Sequence, residues 1–273
     1  MRPSLLTTLA SAILLAGLAP GLALAQEKNA LEIFDNAVST FEAQRAALRK
    51  WQYHQTLTTH QLDGSGKIAA RGTWKYIVRP GDSGPYEYTS EQTEGKLSFF
   101  KSGSEEGTPA PAKKAKVESE DKNQAEAAID AVRKYNLRDR YNWKLLPDES
   151  VAGESAYVLG FAPKSGQIAH SREERFFSLL SGQMWVSRDD FTILKAQATL
   201  QSPCNLFWVI ARVTRFEFTY KLEPAHGDER LLRLSKASAK TVVAFPFYSV
   251  RQRHWLTIDR FEPRTARGVS VKP

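Results

Sequence analysis

Apolar and aromatic side chains fall on alternate positions over most of this chain, and that pattern limits the fold more than any other feature. Trp51, Tyr53, Gln55 and Leu57 alternate with polar neighbours, and after Asp63-Gly64-Ser65-Gly66 the alternation resumes at Ile68, Ala70, Trp74, Tyr76 and Val78. Tyr157, Leu159 and Phe161 repeat it, as do Phe216, Phe218, Tyr220 and Leu222. A period of two places such side chains on one face of a strand, so each strand offers one apolar and one polar face. The first pair, joined by a Gly-rich turn, predicts a long hairpin. Shorter strands are predicted at Tyr86–Glu91 and Lys96–Phe100. Beyond Tyr141 nearly everything reads as strand: Gly182–Val186, Ile193–Leu200, Trp208–Leu222, Arg230–Ala244 and Phe247–Phe261. Trp208 and Ile210 are expected to share the face of Phe216 to Leu222. The total is roughly eleven strands, spaced for an antiparallel meander.

Only two segments carry a helical period. Leu31, Phe34, Val38 and Phe41 recur near 3.6 residues, predicting a helix over Asn29–Lys50 that ends in Arg45, Arg49 and Lys50. Ala127, Ala128, Ala131, Val132 and Tyr135 predict a second over Gln124–Leu137. Between the strands and this second helix, residues 102–123 hold no aromatic residue and are rich in Gly, Pro, Lys and Glu. Such a stretch buries too little apolar area to offset its ordering entropy, so a disordered insertion is expected there. The class implied is α+β: a single strongly curved antiparallel sheet of about eleven strands, with helices near the start and middle.

The first 25 residues read as an export signal. Met1-Arg2-Pro3 is basic, Leu5–Leu18 is apolar but well short of the ~20 residues that span a bilayer, and Ala23-Leu24-Ala25 is a small-x-small cleavage site. Cleavage is expected before Gln26, leaving a single domain over 26–273 in the periplasm, not integral to the membrane. Cys204 is the only cysteine, so no internal disulfide forms, and no Cys is placed to carry a lipid anchor.

The net charge of +8 is unevenly spread. Residues 26–202 hold 24 Lys plus Arg against 24 Asp plus Glu, whereas 203–273 hold 13 against 6. Export argues against nucleic acid as the partner of this basic end, leaving a plain solvated sheet face, an anionic lipid surface or an acidic protein. Arg251, Arg253 and Arg260 are the candidate anion contacts.

Catalytic patterns are missing. The chain has no Gly-x-Ser-x-Gly elbow, no His-Glu-x-x-His and no phosphate-cradling loop. Asp189-Asp190 and Asp228-Glu229 sit at apparent turns, where Asp serves local hydrogen bonding. His54 and His60 share a strand face, but two His alone make a poor metal site. Cys204 reads as a packed small residue. His254, beside Trp255 and among the arginines, is the one ionisable group that an esterase-like activity would recruit. No enzyme activity, cofactor or metal is expected.

Several strands resemble a known group of exported bacterial proteins. Arg140-Tyr141-Asn142-Trp143 followed by Val151-Ala152-Gly153-Glu154-Ser155-Ala156-Tyr157-Val158-Leu159-Gly160-Phe161-Ala162-Pro163-Lys164 resembles a strand of outer-membrane lipoprotein-sorting-like proteins. Gly182–Val186, Asp189–Ala196 and Val213–Phe218 resemble later strands of that group in order, with Ser187 where an Asp is common. The group is similar to the LolA/LolB and MucB/RseB families. The resemblance implies an incomplete β-barrel with helices covering an apolar concave face, holding acyl chains or sensing envelope stress. On that basis Trp74, Tyr76, Tyr157, Leu159, Phe161, Trp208, Phe216, Phe218 and Tyr220 are the candidate cavity residues. The partner expected is a lipid or lipidated protein. The alternative is an envelope sensor or scaffold that binds a protein through its basic C-terminal face.

Overall fold

The structure, a computed structural model, describes residues 19–82, 86–98, 132–207, 211–223 and 235–264. Helix α1 spans Ala19–Leu48, α2 Leu137–Arg140 and α3 Arg172–Phe177. The strands are β1 Trp51–Leu62, β2 Ile68–Val78, β3 Tyr86–Glu94, β4 Tyr141–Val151, β5 Glu154–Pro163 and β6 Leu180–Ser187. They continue with β7 Ile193–Leu200, β8 Cys204–Phe207, β9 Ala211–Leu222, β10 Ser235–Ala244 and β11 Ser249–Pro263. All eleven form one antiparallel sheet in the order β3-β2-β1-β11-β10-β9-β7-β6-β5-β4, with β8 paired to β9 off this path. β3 and β4 are its edges, so the expected incomplete barrel is what forms.

Residues paired across strands point to the same side, and two register rows define the inner face. One runs Leu145, Leu159, Met184, Ala196, Tyr220, Ala237, Leu256, Leu57, Trp74 across nine strands. The next runs Trp143, Phe161, Gly182, Ala198, Phe218, Ala239, His254, Thr59, Gly72. The mostly apolar side chains of these rows are the alternation seen in the sequence, now brought onto one surface.

Helix α1 lies on that face at one end only. Ala30, Ile33, Phe34 and Ala37, spaced i, i+3, i+4, i+7, are buried against Tyr141, Trp143, Leu159 and Val186. Phe34 packs on Trp143 with ring centroids 4.2 Å apart, and Trp143 meets Phe161 at 5.5 Å. Further along, Thr40 Oγ1 donates to the Asp190 carbonyl at 3.2 Å, and Gln44 Nε2 donates to Thr192 Oγ1 at 2.8 Å. The helix is thereby tied to the β6–β7 turn. A bidentate ion pair from Arg138 to Asp35, at 2.8 and 2.9 Å, joins it to α2.

Three expectations need correction. The helix begins at Ala19 rather than Asn29, and its buried stripe is centred on Ile33 and Phe34, so Phe41 is only half-buried. Residues 96–98 do not join the sheet as a strand. They cross the inner face, where Ser98 N donates to Gln61 Oε1 at 2.7 Å and the Ser98 carbonyl accepts from Gln252 Nε2 at 2.8 Å. The strand expected from Trp208 to Leu222 is described from Ala211 as β9, and a short strand that the pattern did not predict, β8, precedes it. The register against β10 slips between Val243, paired with Val213, and Val242, paired with Arg215. Thr214 is the extra residue, so Val213 before this bulge and Phe216 after it face the same way despite opposite parity.

The predicted leader before residue 19, the insertion at 102–123, Asp228-Glu229 and Trp208 lie outside the described residues. So does the second predicted helix up to residue 131, while 132–134 are helical. Among the described residues, no helix is long and apolar enough to cross a membrane.

Two glycines differ in what they allow. A Cβ on Gly182 would stand 1.9 Å from the Gln197 carbonyl oxygen and 2.7 Å from Phe161 Cζ, whereas one on Gly160 would meet only the Leu146 side chain, at 3.2 Å. Gly182→Ala should therefore cost about 3 kcal/mol or more, because backbone has to move, and Gly160→Ala less than about 1.5 kcal/mol. Thermal denaturation of the two variants checks this; equal melting temperatures would show that the sheet yields at β6 and β7.

Candidate functional site

Helix α1 covers the inner face over β4, β5 and β6. Over β9, β10, β11 and β1 the same face carries a different surface. β10 contributes Ser235, Ala237, Ala239 and Thr241 to it, four small side chains in succession on one strand face, with Val243 next on that face toward the β10–β11 turn. On one flank stand Phe216, Phe218 and Tyr220 of β9; on the other, His254, Leu256 and Ile258 of β11, backed by Leu57 of β1. All of these are only half-buried. Small residues between two rows of large ones make a furrow along β10, walled by aromatic rings on one side and by Gln252, His254, Leu256 and Ile258 on the other. Phe176 of α3 packs on Phe216 at 5.1 Å and closes the upper part of the aromatic wall.

The candidate cavity residues divide between the two halves of the inner face. Leu159 is fully buried beneath α1, and Phe161 packs into the same core, so both serve the helix. Tyr157 also borders that core, stacked on Phe191 at 6.4 Å with the Arg188 guanidinium over its ring. Trp74 is on the inner face but only 8 % exposed, because its indole lies across Gly72, where a Cβ would meet Trp74 Cη2 at 2.3 Å. Tyr76 is half-buried and packs edge-on to Tyr86 and Tyr88, at 6.0 and 5.9 Å. Phe216, Phe218 and Tyr220 line the furrow. The residues that sequence patterning missed are the alanines of β10. Small side chains carry no hydrophobic signal, and their role appears only once their neighbours are known.

His254 faces into this furrow, and Trp255 faces away from it. Its Nδ1 lies 2.9 Å from the hydroxyl of Thr59, itself fully buried, and burial pushes the imidazole below its ordinary titration range. Such a group is a neutral wall element, and its hydroxyl neighbour belongs to a buried Thr rather than a Ser in an open cleft. Cys204 is buried, and burial raises its thiol. Both shifts oppose the charged forms that acid–base or thiolate chemistry at neutral pH would need. Among the described residues no group of three His, Cys, Asp or Glu is placed to hold a metal ion. Within the described residues, the motifs set aside as turns behave as turns: Asp63 Oδ1 accepts from Ser65 N and Lys67 N, and Asp190 Oδ1 from Thr192 N.

The three candidate anion contacts are not one patch. Arg251 Nη1 donates to the carbonyls of Gly64 and Asp63, at 3.0 and 3.4 Å, and so braces the β1–β2 turn. Arg253 is exposed on the outer face, in a row with Glu217, Lys240, His60 and Arg71. Glu217 in that row already pairs with Arg215 and Lys240. Arg260 sits at φ 49° in a bulge opposite Tyr53, near the other end of β11. The outer face also holds an open groove of about 520 Å³ over β4–β7, floored by Gly160 and Ser181 and edged by Asn142, Lys144, Gln183 and Gln197.

Fold and site together define an unclosed antiparallel barrel with a helix over one end of its inner face and an apolar furrow over the other. No family profile matches the chain, and no curated protein does. Among solved structures it is similar to a LolA superfamily protein from Nitrosomonas europaea, at 13% identity over 84% of this chain and 94% of that one, with a TM-score of 0.27. A putative outer membrane lipoprotein-sorting protein domain from Vibrio parahaemolyticus aligns at 11% identity over 89% and 95%, TM-score 0.31. A chain from the MucA/MucB complex of Pseudomonas aeruginosa aligns at 11% identity over 87% and 100%, TM-score 0.26. These are the groups whose strand patterns the sequence resembles; the chemistry of the furrow rests on this chain's own residues.

The state of His254 gives a test. Its folded-state pKa is lowered, so the unfolded chain binds the proton more readily. The stability it contributes is complete above the ordinary value near 6.5 and is lost as pH falls below it. Melting temperatures between pH 7.5 and about 5 should fall more steeply for the wild type than for His254→Gln. Parallel slopes would show that the imidazole is hydrated.

Proposed function

We propose that this protein is a non-catalytic binding or carrier protein of the bacterial periplasm that holds an acyl chain of a lipid or lipidated protein along the β10 furrow. The observation that carries this reading is the row of small side chains on β10 between the half-buried walls of Phe216, Phe218, Tyr220 and Leu256. A furrow one strand wide suits a single hydrocarbon chain. Each methylene moved from water into it is worth ~0.8 kcal/mol, so a ten-carbon stretch supplies enough to outweigh the cost of ordering the chain. Neutral His254, hydrogen-bonded to the buried Thr59, offers a polar contact beside the apolar side chains of the wall. The export signal read from the sequence supports the compartment.

Displacement of a fluorescent fatty acid from the purified protein tests the reading directly. Ala239→Phe places a ring in the furrow between Phe218 and His254, and the affinity should fall by about tenfold or more, the equivalent of losing two methylene contacts. Arg253→Glu, on the outer face, should leave it unchanged. Absence of probe binding in the wild type would remove the carrier reading. Loss through Arg253→Glu alone would place the probe on the outer face; the second reading, an acidic envelope protein bound there, instead requires Arg253→Glu to abolish capture of that protein while fatty-acid binding stays intact.

A further inference from the structure

The β10–β11 hairpin ends in a turn of unusual composition. Turns are normally built from Gly, Asn, Asp and Ser, but here the sequence is Phe245-Pro246-Phe247-Tyr248. The turn is well made: Phe245 N donates to the Tyr248 carbonyl at 2.8 Å, and the two rings stack at 4.6 Å with an 11° interplanar angle. This stacking holds Phe247 at the tip, where it is 97% exposed, with Tyr248 61% exposed beside it. Nothing in the core needs a Phe there; a single exposed ring is ordinary, and the informative feature is the apolar group it joins.

The tip belongs to a larger arrangement. The register places the start of β2, the β5–α3 connection and the β10–β11 turn all at one end of the sheet. Six large hydrophobic residues are exposed among the described residues, and four of them lie at this end: Ile68, Ile168, Phe247 and Tyr248. The exposed charges there are mostly cationic. Lys67, Arg172, Arg175 and Arg212 are all exposed, whereas of the acids Glu174 is paired with Arg140, Asp139 with Arg138 and Glu94 with Arg71, and Asp63 is engaged by its own turn, leaving Glu173. Arg212 pairs in register with Ala244, immediately beside the turn.

We propose that this end of the barrel docks on an anionic bilayer surface, with Phe247 and Tyr248 entering the interface and Lys67 and Arg212 meeting the head groups. An aromatic tip beside cations matches the two layers of a membrane surface, apolar below the head groups and negative at them. An acidic protein would match the cations but leave the tip without a partner. A second copy would cover the tip but set like charges together. The furrow along β10 points toward this same turn, and the row Val213, Val243, Val250 lies between the two. Docking does not depend on the acyl-chain reading, and the two are separable by experiment.

Flotation of the purified chain with vesicles of phosphatidylethanolamine and phosphatidylglycerol is the test, with phosphatidylcholine vesicles as the comparison. The wild type should float with the anionic vesicles at low salt and less so at high salt or with phosphatidylcholine. Phe247→Asp should reduce vesicle affinity by about tenfold or more, since it removes a buried ring and adds a repelled charge. Its melting temperature and its affinity for the fluorescent fatty acid should stay unchanged, because the side chain is outside the fold and the furrow. In a Phe247→Trp variant, brominated lipid should quench more fluorescence than in the wild type. The proposal is overturned if the wild type does not float with anionic vesicles, or if Phe247→Asp floats equally well. It is also overturned if Phe247→Asp only dissolves a concentration-dependent dimer, which would assign the tip to a second copy.

Discussion

The contact on which the rest of this structure depends is the seat of α1 on β4, β5 and β6. An antiparallel sheet of eleven strands has two faces and two edges, and without a covering layer its apolar face would collapse onto another sheet or another molecule. Phe34 and Ile33, set against Trp143, Tyr141 and Leu159, cover the part of that face over β4–β6. The same seat decides where the open part lies. Because the helix is tied at Thr40 and Gln44 to the β6–β7 turn and through Asp35 to α2, it stays over β4–β6 and leaves β9–β11 to other segments. The furrow is thus a consequence of where one helix is anchored.

Much of this was legible in the sequence. The period-two alternation in β1, β2, β5 and β9 named the inner face correctly, and the Asp63–Gly66 turn fixed the first hairpin, because side-chain period and turn chemistry are local properties. What was not legible is non-local. Phe216 and Val213 face the same way only because of a bulge at Thr214, and a bulge has no signature in residue pattern when both parities carry apolar residues. Residues 96–98 look like a strand but are claimed by Gln61 and Gln252, polar side chains more than 30 residues away. Leu159 and Phe218 look alike in pattern, yet one lies under the helix and the other beside the furrow. No property of the two strands separates them; only the position of α1 does.

The basic character of the C-terminal quarter changes its meaning once placed. The surplus is not a single anion site. Arg251 braces a turn, Arg260 occupies a bulge, and Lys240 shares Glu217 with Arg215. Charges spent in this way steady the sheet by little, since exposed pairs are worth less than about 1 kcal/mol each. Arg212, which flanks the aromatic turn, has the position from which charge and apolar surface could act together. Composition counted these side chains as equals, and the register makes them different.

Small residues do opposite work in the two halves of the inner face. Gly182 is needed because Phe161 and the β7 backbone crowd it, so absence of a side chain there permits closer packing. Ala237 and Ala239 stand where flanking strands hold large half-buried side chains, so absence of bulk there leaves room. A core selected only for stability would fill such a row, since each added methylene with contacts on both sides contributes roughly 0.8 kcal/mol. Four small residues in succession on β10, beside three aromatic residues on β9, forgo that stabilisation along the strand that leads to the exposed Phe247 turn. The stability forgone and the room left set this row apart from the filled rows beneath α1, and Val243, between Val213 and Val250, ends it before the turn.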